Sequence, residues 1–135
     1  MDDSSTLVGK TALVVVGSGL GGGLRFLVNT AFARYMPLSR FPWATLTVNV
    51  AGSYLIAFIS HLALSTTIIS ANTRLFLTVG VMGGLTTYST FNNDLIEALR
   101  TGQLLTATVS SIATFATCLL AGALGLMSAR TLFNG

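Results

Sequence analysis

The chain has 135 residues, of which 52% are hydrophobic and only 8% charged. A water-soluble domain carries about 25% charged residues, so this sequence lacks the polar cover to fold in water. Its formal net charge of +3 is spread too thinly for a nucleic-acid-binding face, which needs clustered lysines and arginines.

Four apolar segments, near residues 11–33, 43–64, 75–99 and 104–129, have roughly the 20 residues that a membrane-crossing helix needs. Short separators lie between them: 34–42 with two prolines, 65–74 rich in Ser, Thr and Asn, and the tight 100–103 turn. Connections this short force neighbouring helices antiparallel. The start, Met1-Asp-Asp-Ser-Ser, is acidic, and the first apolar segment leads into further apolar segments, so a secretory leader is not expected. The pattern predicts an all-α membrane protein, a single four-helix domain over 1–135.

The first span holds Gly17-Ser-Gly19-Leu-Gly21-Gly22 after Val14-Val-Val16, which matches the G-x-G-x-x-G dinucleotide pattern. That motif needs a strand before it and an acid about 20 residues on; here Ser39 and Arg40 stand at that distance. Gly17, Gly21 and Gly22 are better explained as small residues that let helices approach closely. Arg25 is a charge well inside the same span. Intramembrane charges mark functional sites, with Asp94 or the carbonyl end of a broken helix as its partner; snorkelling to the interface is the other reading.

Trp43 opens the second span as an interface anchor, and His61 lies at its far end in an interfacial position. Between them is Thr45-Leu-Thr-Val-Asn49. A buried amide must find hydrogen bonds in hydrocarbon, so Asn49 either joins helices together or turns its NH2 donors to a passing anion.

The third span carries Gly80-Val-Met-Gly-Gly-Leu-Thr-Thr-Tyr-Ser-Thr-Phe-Asn-Asn-Asp94, polar and flexible cargo for a bilayer. Freed carbonyls at membrane depth need protein, water or an ion. Unwinding is expected over Gly83, Gly84, Leu85 and Thr86, where clustered carbonyls would suit a hard cation such as Na⁺. Tyr88 and Phe91, three apart, share a helix face, and the positive edges of their rings can meet an anion without trapping it. In the fourth span Thr106, Ser110 and Thr114 fall in one stripe, with Cys118 next. Such a stripe reads as a wetted track or a helix–helix seam. Cys118 is the single cysteine, so no internal disulfide forms and nothing points to zinc.

Four spans place Lys10, Arg74 and Arg130 on one side of the membrane and Arg34, Arg40 and Arg100 on the other. Equal numbers leave no positive-inside bias. Balanced charge predicts insertion in both orientations and an antiparallel homodimer; a single dominant loop setting one orientation is the alternative.

With these pieces in place, the chain resembles the Fluc/CrcB family of bacterial fluoride channels along nearly its whole length. The resemblance rests on the glycine-rich first span ending in Leu24-Arg25-Phe26, on Thr45-Leu-Thr-Val-Asn49, and above all on Gly83-Gly-Leu-Thr-Thr-Tyr-Ser-Thr-Phe91 in the third of four spans. It implies a dual-topology dimer in the bacterial cytoplasmic (inner) membrane that exports fluoride passively. It also implies a structural Na⁺ at the dimer centre, held by the backbone carbonyls of Gly83 and Thr86 from both subunits. The two pores would be lined by Asn49, Tyr88 and Phe91, with fourth-span residues such as Ser110 and Thr114. Arg25 and Asp94 would serve as structural or vestibule charges. Two departures stand out: Tyr88 where the family has phenylalanine, and Asp94 where glutamate is expected.

Two rival readings fit less well. A proton-coupled multidrug carrier of four short helices needs a carboxylate within the first span, and the chain has none between Asp3 and Asp94. A non-transporting assembly subunit leaves the mid-membrane break unexplained. Catalysis is not expected, because the one histidine and the one cysteine fall in different spans.

Overall fold

The computed structural model describes residues 3–133; Met1 and Asp2, on which the leader argument partly rests, lie outside it, as do Asn134 and Gly135. Every regular element among the described residues is a helix. Three are long and apolar enough to cross a membrane: α1 (Asp3–Tyr35), α2 (Trp43–Ser65) and α6 (Leu104–Phe133). α1 starts well before the expected position 11, because residues 3–10 hold no proline and the single Gly9 costs only about 1 kcal/mol within a helix this long.

The remaining span is composite. α3 (Ala71–Leu75), a π-helical segment (Phe76–Met82) and α4 (Gly83–Leu85) follow one another with helical backbone at each junction. Thr86 and Thr87 are extended, and α5 (Tyr88–Arg100) then resumes the helix. With 13 residues at about 1.5 Å each, α5 reaches roughly two thirds of the way across a hydrocarbon core of about 30 Å. Only with the preceding segments does it complete a crossing.

Unwinding therefore falls at Thr86–Thr87: of the four residues where it was expected, Thr86 is extended, whereas Gly83, Gly84 and Leu85 are helical. Close packing explains the difference. A Cβ on Gly84 would run into the Ser18 backbone of α1, and one on Gly21 into the Val81 carbonyl. One on Gly17 would lie 2.9 Å from the Gly80 Cα. Gly17 and Gly21 of α1 and Gly80 and Gly84 of the third span bring two backbones together, as small residues do between membrane helices. Gly22 faces open space and takes no part.

α1 packs on the first half of the broken span, α2 runs along α6, and α5 rests on α6. Val48, Met82 and Leu85 form the buried apolar cluster, with Val28 and Val81 against it. Large side chains point outward: Leu20, Leu24 and Leu27 on α1, and Leu119, Leu120 and Leu124 on α6, are exposed. A helix apolar on all sides with its leucines outside is built for lipid. Hydroxyls on these helices bond the carbonyl four residues back, as Thr30 does to Phe26 and Thr117 to Ala113, which meets their need without water.

Candidate functional site

The break is fixed by side chains from two directions. From α2, the Asn49 amide spans Thr87: the Thr87 N–H donates to Asn49 Oδ1 at 2.8 Å, and Asn49 Nδ2 donates to the Thr87 carbonyl at 3.2 Å. Both backbone groups of an extended residue are thus paired at membrane depth, where an orphan costs several kcal/mol. From within the chain, Thr87 Oγ1 caps α5 by accepting the Thr90 N–H at 3.1 Å, the usual role of an N-cap threonine. Gly52 on α2 leaves room for the Thr86 methyl, which a Cβ there would strike.

Four carbonyls, those of Gly83, Gly84, Leu85 and Thr86, lose their helical donors in consequence. In an unbroken helix the Thr87 N–H would close on the Gly83 carbonyl, and the Thr90 N–H on Thr86. The first is taken by Asn49 and the second by the Thr87 hydroxyl. Gly83 is exposed on the surface of the chain and Thr86 is half-buried. Released carbonyl oxygens are hard ligands of the kind that alkali and alkaline-earth cations take, so Gly83 and Thr86 fit the donor chemistry of a Na⁺ site.

On the α2–α6 side, the break opens on a groove of about 550 Å³. Asn49, Tyr88, Phe91 and Thr114 all line it, with Cys118 at its edge. The Tyr88 and Phe91 rings lie 6.0 Å apart, tilted by 54°; Tyr88 is 79% exposed. Thr114 is only 8% exposed, and its hydroxyl is buried without a hydrogen-bond partner. Buried polar groups are nearly always paired, and this hydroxyl, closed off from the groove within the chain, is an exception among the described residues. Asn49 also keeps a second Nδ2–H beyond the one given to Thr87.

The stripe on α6 divides. Ser110, 1% exposed, donates to the Ala107 carbonyl at 3.1 Å and, with Thr106 and Asp94, lines a separate hollow of about 370 Å³. Their chain neighbours Leu95 and Ser111 line the groove instead. Asp94 accepts a hydrogen bond from Thr45 Oγ1 at 2.8 Å. Arg25, half-buried on α1, makes no ion pair among the described residues, so one chain does not bring Arg25 and Asp94 together. His61 shares a hydrogen bond with Ser65, one turn on in α2.

Sequence reasoning missed Thr87, which holds the break, and Ser53 and Ser111, which line the groove. Thr87 was itself the available signal, since threonine is a favoured N-cap residue and its hydroxyl can accept the N–H three residues on. It also missed that α5 begins at Tyr88, placing the positive end of a helix dipole at the groove.

The fold and break define a multi-pass α-helical membrane protein with a discontinuous span. Comparison with known proteins narrows this. The family described as CrcB-like protein, Camphor Resistance (CrcB), matches residues 12–126, and the chain belongs to that family. Among its curated relatives, a "Fluoride-specific ion channel FluC" of Pelobacter propionicus is 41% identical over 126 residues, 93% of this chain and 98% of the relative. Proteins of the same name from Geobacter metallireducens and Chlorobium chlorochromatii are 42% identical over 89% of the chain and 45% identical over 87%; 99% and 90% of those relatives are covered.

Proposed function

We propose that this protein is a fluoride channel, that it works as an antiparallel homodimer, and that it lets fluoride leave the cell down its electrochemical gradient. The observation that carries the reading is the groove at the break, which Asn49, Tyr88, Phe91 and Thr114 line together beside the N-terminus of α5. Relatives that cover nearly the whole chain and bear the fluoride-channel name supply the ion.

The chemistry suits that ion. Fluoride is small and holds its water tightly, so a pore must offer hydrogen-bond donors before the ion will shed its shell. Asn49 Nδ2 is a donor of this kind, and the helix dipole at Tyr88 favours negative charge. The Tyr88 and Phe91 edges carry partial positive charge and bridge the gaps between donors without a full cation. Conduction needs such weak, repeated sites, since a site that binds too well holds its ion. The Tyr88 hydroxyl adds a donor that phenylalanine lacks. Ser110, Thr106 and Asp94 in the adjoining hollow form a vestibule, with Arg25 as a structural charge on α1.

Na⁺ is the proposed structural ion, held by the Gly83 and Thr86 carbonyls. Two carbonyls are too few for a cation, and a second copy related by a two-fold axis doubles them. When bound, the ion offsets the negative ends of the carbonyl dipoles at the centre of the pair. The balanced cations of the two sides favour opposed copies. Export in the cytoplasmic membrane needs no ATP. Hydrogen fluoride enters from acidic surroundings, ionises inside, and the anion leaves with a membrane potential worth about 2.3 kcal/mol per charge per 100 mV.

The test is efflux from liposomes holding the purified protein, followed with a fluoride electrode and with chloride as the control. Rapid fluoride release with no chloride release is expected, and Phe91→Ile should reduce it to background while the protein elutes unchanged from a sizing column. Fluoride release no faster than from empty liposomes, or release that requires a proton gradient, would overturn the proposal.

A further inference from the structure

Lys10 and Arg74 belong to different helices, α1 and α3, yet line one hollow of about 330 Å³ with Asn72, Leu75, Thr78 and Val79. Both cations are exposed. Among the described residues neither meets a carboxylate: none that lines the hollow is acidic, and the ion pair found is Arg100–Glu97, elsewhere. Thr78 spends its hydroxyl on the Arg74 carbonyl at 2.8 Å, so polar recognition falls to Lys10, Arg74 and Asn72. The hollow is graded along the helix. Ala71 to Arg74 stand at the start of the span, the depth of lipid headgroups, and Leu75 and Val79 follow one to two turns further into the membrane.

We infer that this hollow binds the phosphodiester headgroup of an anionic phospholipid, with an acyl chain lying along Leu75 and Val79. The Arg74 guanidinium matches two phosphate oxygens as a fork, and the Lys10 ammonium adds a mobile point charge. Basic pockets between membrane helices take anionic headgroups for this reason. Free phosphate would use the same two cations but would leave the apolar wall beneath them without a role. The inference does not rest on the fluoride reading, because none of these residues lines the groove.

The experiment is native mass spectrometry of the full-length protein released from detergent with equal phosphatidylglycerol and phosphatidylcholine. Phosphatidylglycerol should be retained in preference, and K10Q/R74Q should lower that preference about fivefold per charge removed. The charge-preserving K10R/R74K should keep it. Arg130→Gln, which removes an exposed cation at the end of α6, should leave it unchanged, as should millimolar inorganic phosphate. Equal retention of the two lipids, an undiminished preference in K10Q/R74Q, or an equal loss in Arg130→Gln would overturn the inference. So would loss of the preference in K10R/R74K, and displacement by inorganic phosphate would point to a free-anion site in its place.

Discussion

The Asn49 side chain answers both the N–H and the carbonyl of Thr87, and its two plausible roles, joining helices and facing an anion, are not exclusive. An amide has four hydrogen-bonding positions, two of which the clamp uses. Substitutions separate the roles. Asn49→Ala orphans two backbone groups and should destabilise the fold by about 1–3 kcal/mol for each, read as a lower melting temperature in detergent. Asn49→Asp keeps the acceptor for the Thr87 N–H, loses the donor, and places a negative charge beside the ring edges. It should therefore retain more stability than the alanine variant yet pass no fluoride. Normal flux through the aspartate variant would remove Asn49 from the ion path.

Among elements, the broken span shows what the sequence could and could not disclose. Apolar length gave α2 and α6 starts at Trp43 and Leu104, which the structure shares. That the third span holds a break was legible from its glycines and hydroxyls, but its position only at one edge, since Thr86 is extended and Gly83 to Leu85 are not. Glycine permits unwinding and also permits close helix contact, and only the neighbour decides which; here α1 lies against Gly80 and Gly84. The unwound pair is instead chosen by threonines, Thr87 capping α5 while Asn49, 38 positions earlier in the chain, takes its backbone. A partner that distant leaves no periodic trace. The division of the α6 stripe between two hollows was invisible for the same reason, since it depends on where α5 crosses α6. Gly84→Val tests the packing role: its side chain would force α1 off the third span, an overpacking cost of about 1–3 kcal/mol. Thermal stability should fall by that amount, and a variant as stable as the parent would show that α1 and the third span can separate freely.

For the whole molecule, three cations on each side give the translocon no preference. A reporter fused after residue 135 should accordingly appear on both faces of the membrane in comparable amounts, and adding two lysines to the 100–103 turn should drive it to one face. A reporter found on one face alone in the parent would contradict the antiparallel arrangement. In the proposed antiparallel pair each groove would have a reversed twin, so conduction should not depend on the direction of insertion. The central claim is that the groove at the break carries fluoride as a bare anion, and currents across a planar bilayer test it most directly. With unequal fluoride and unequal pH on the two sides, the reversal potential should follow the fluoride gradient alone and ignore added chloride. A reversal potential that moves with the pH gradient or with chloride would contradict the account.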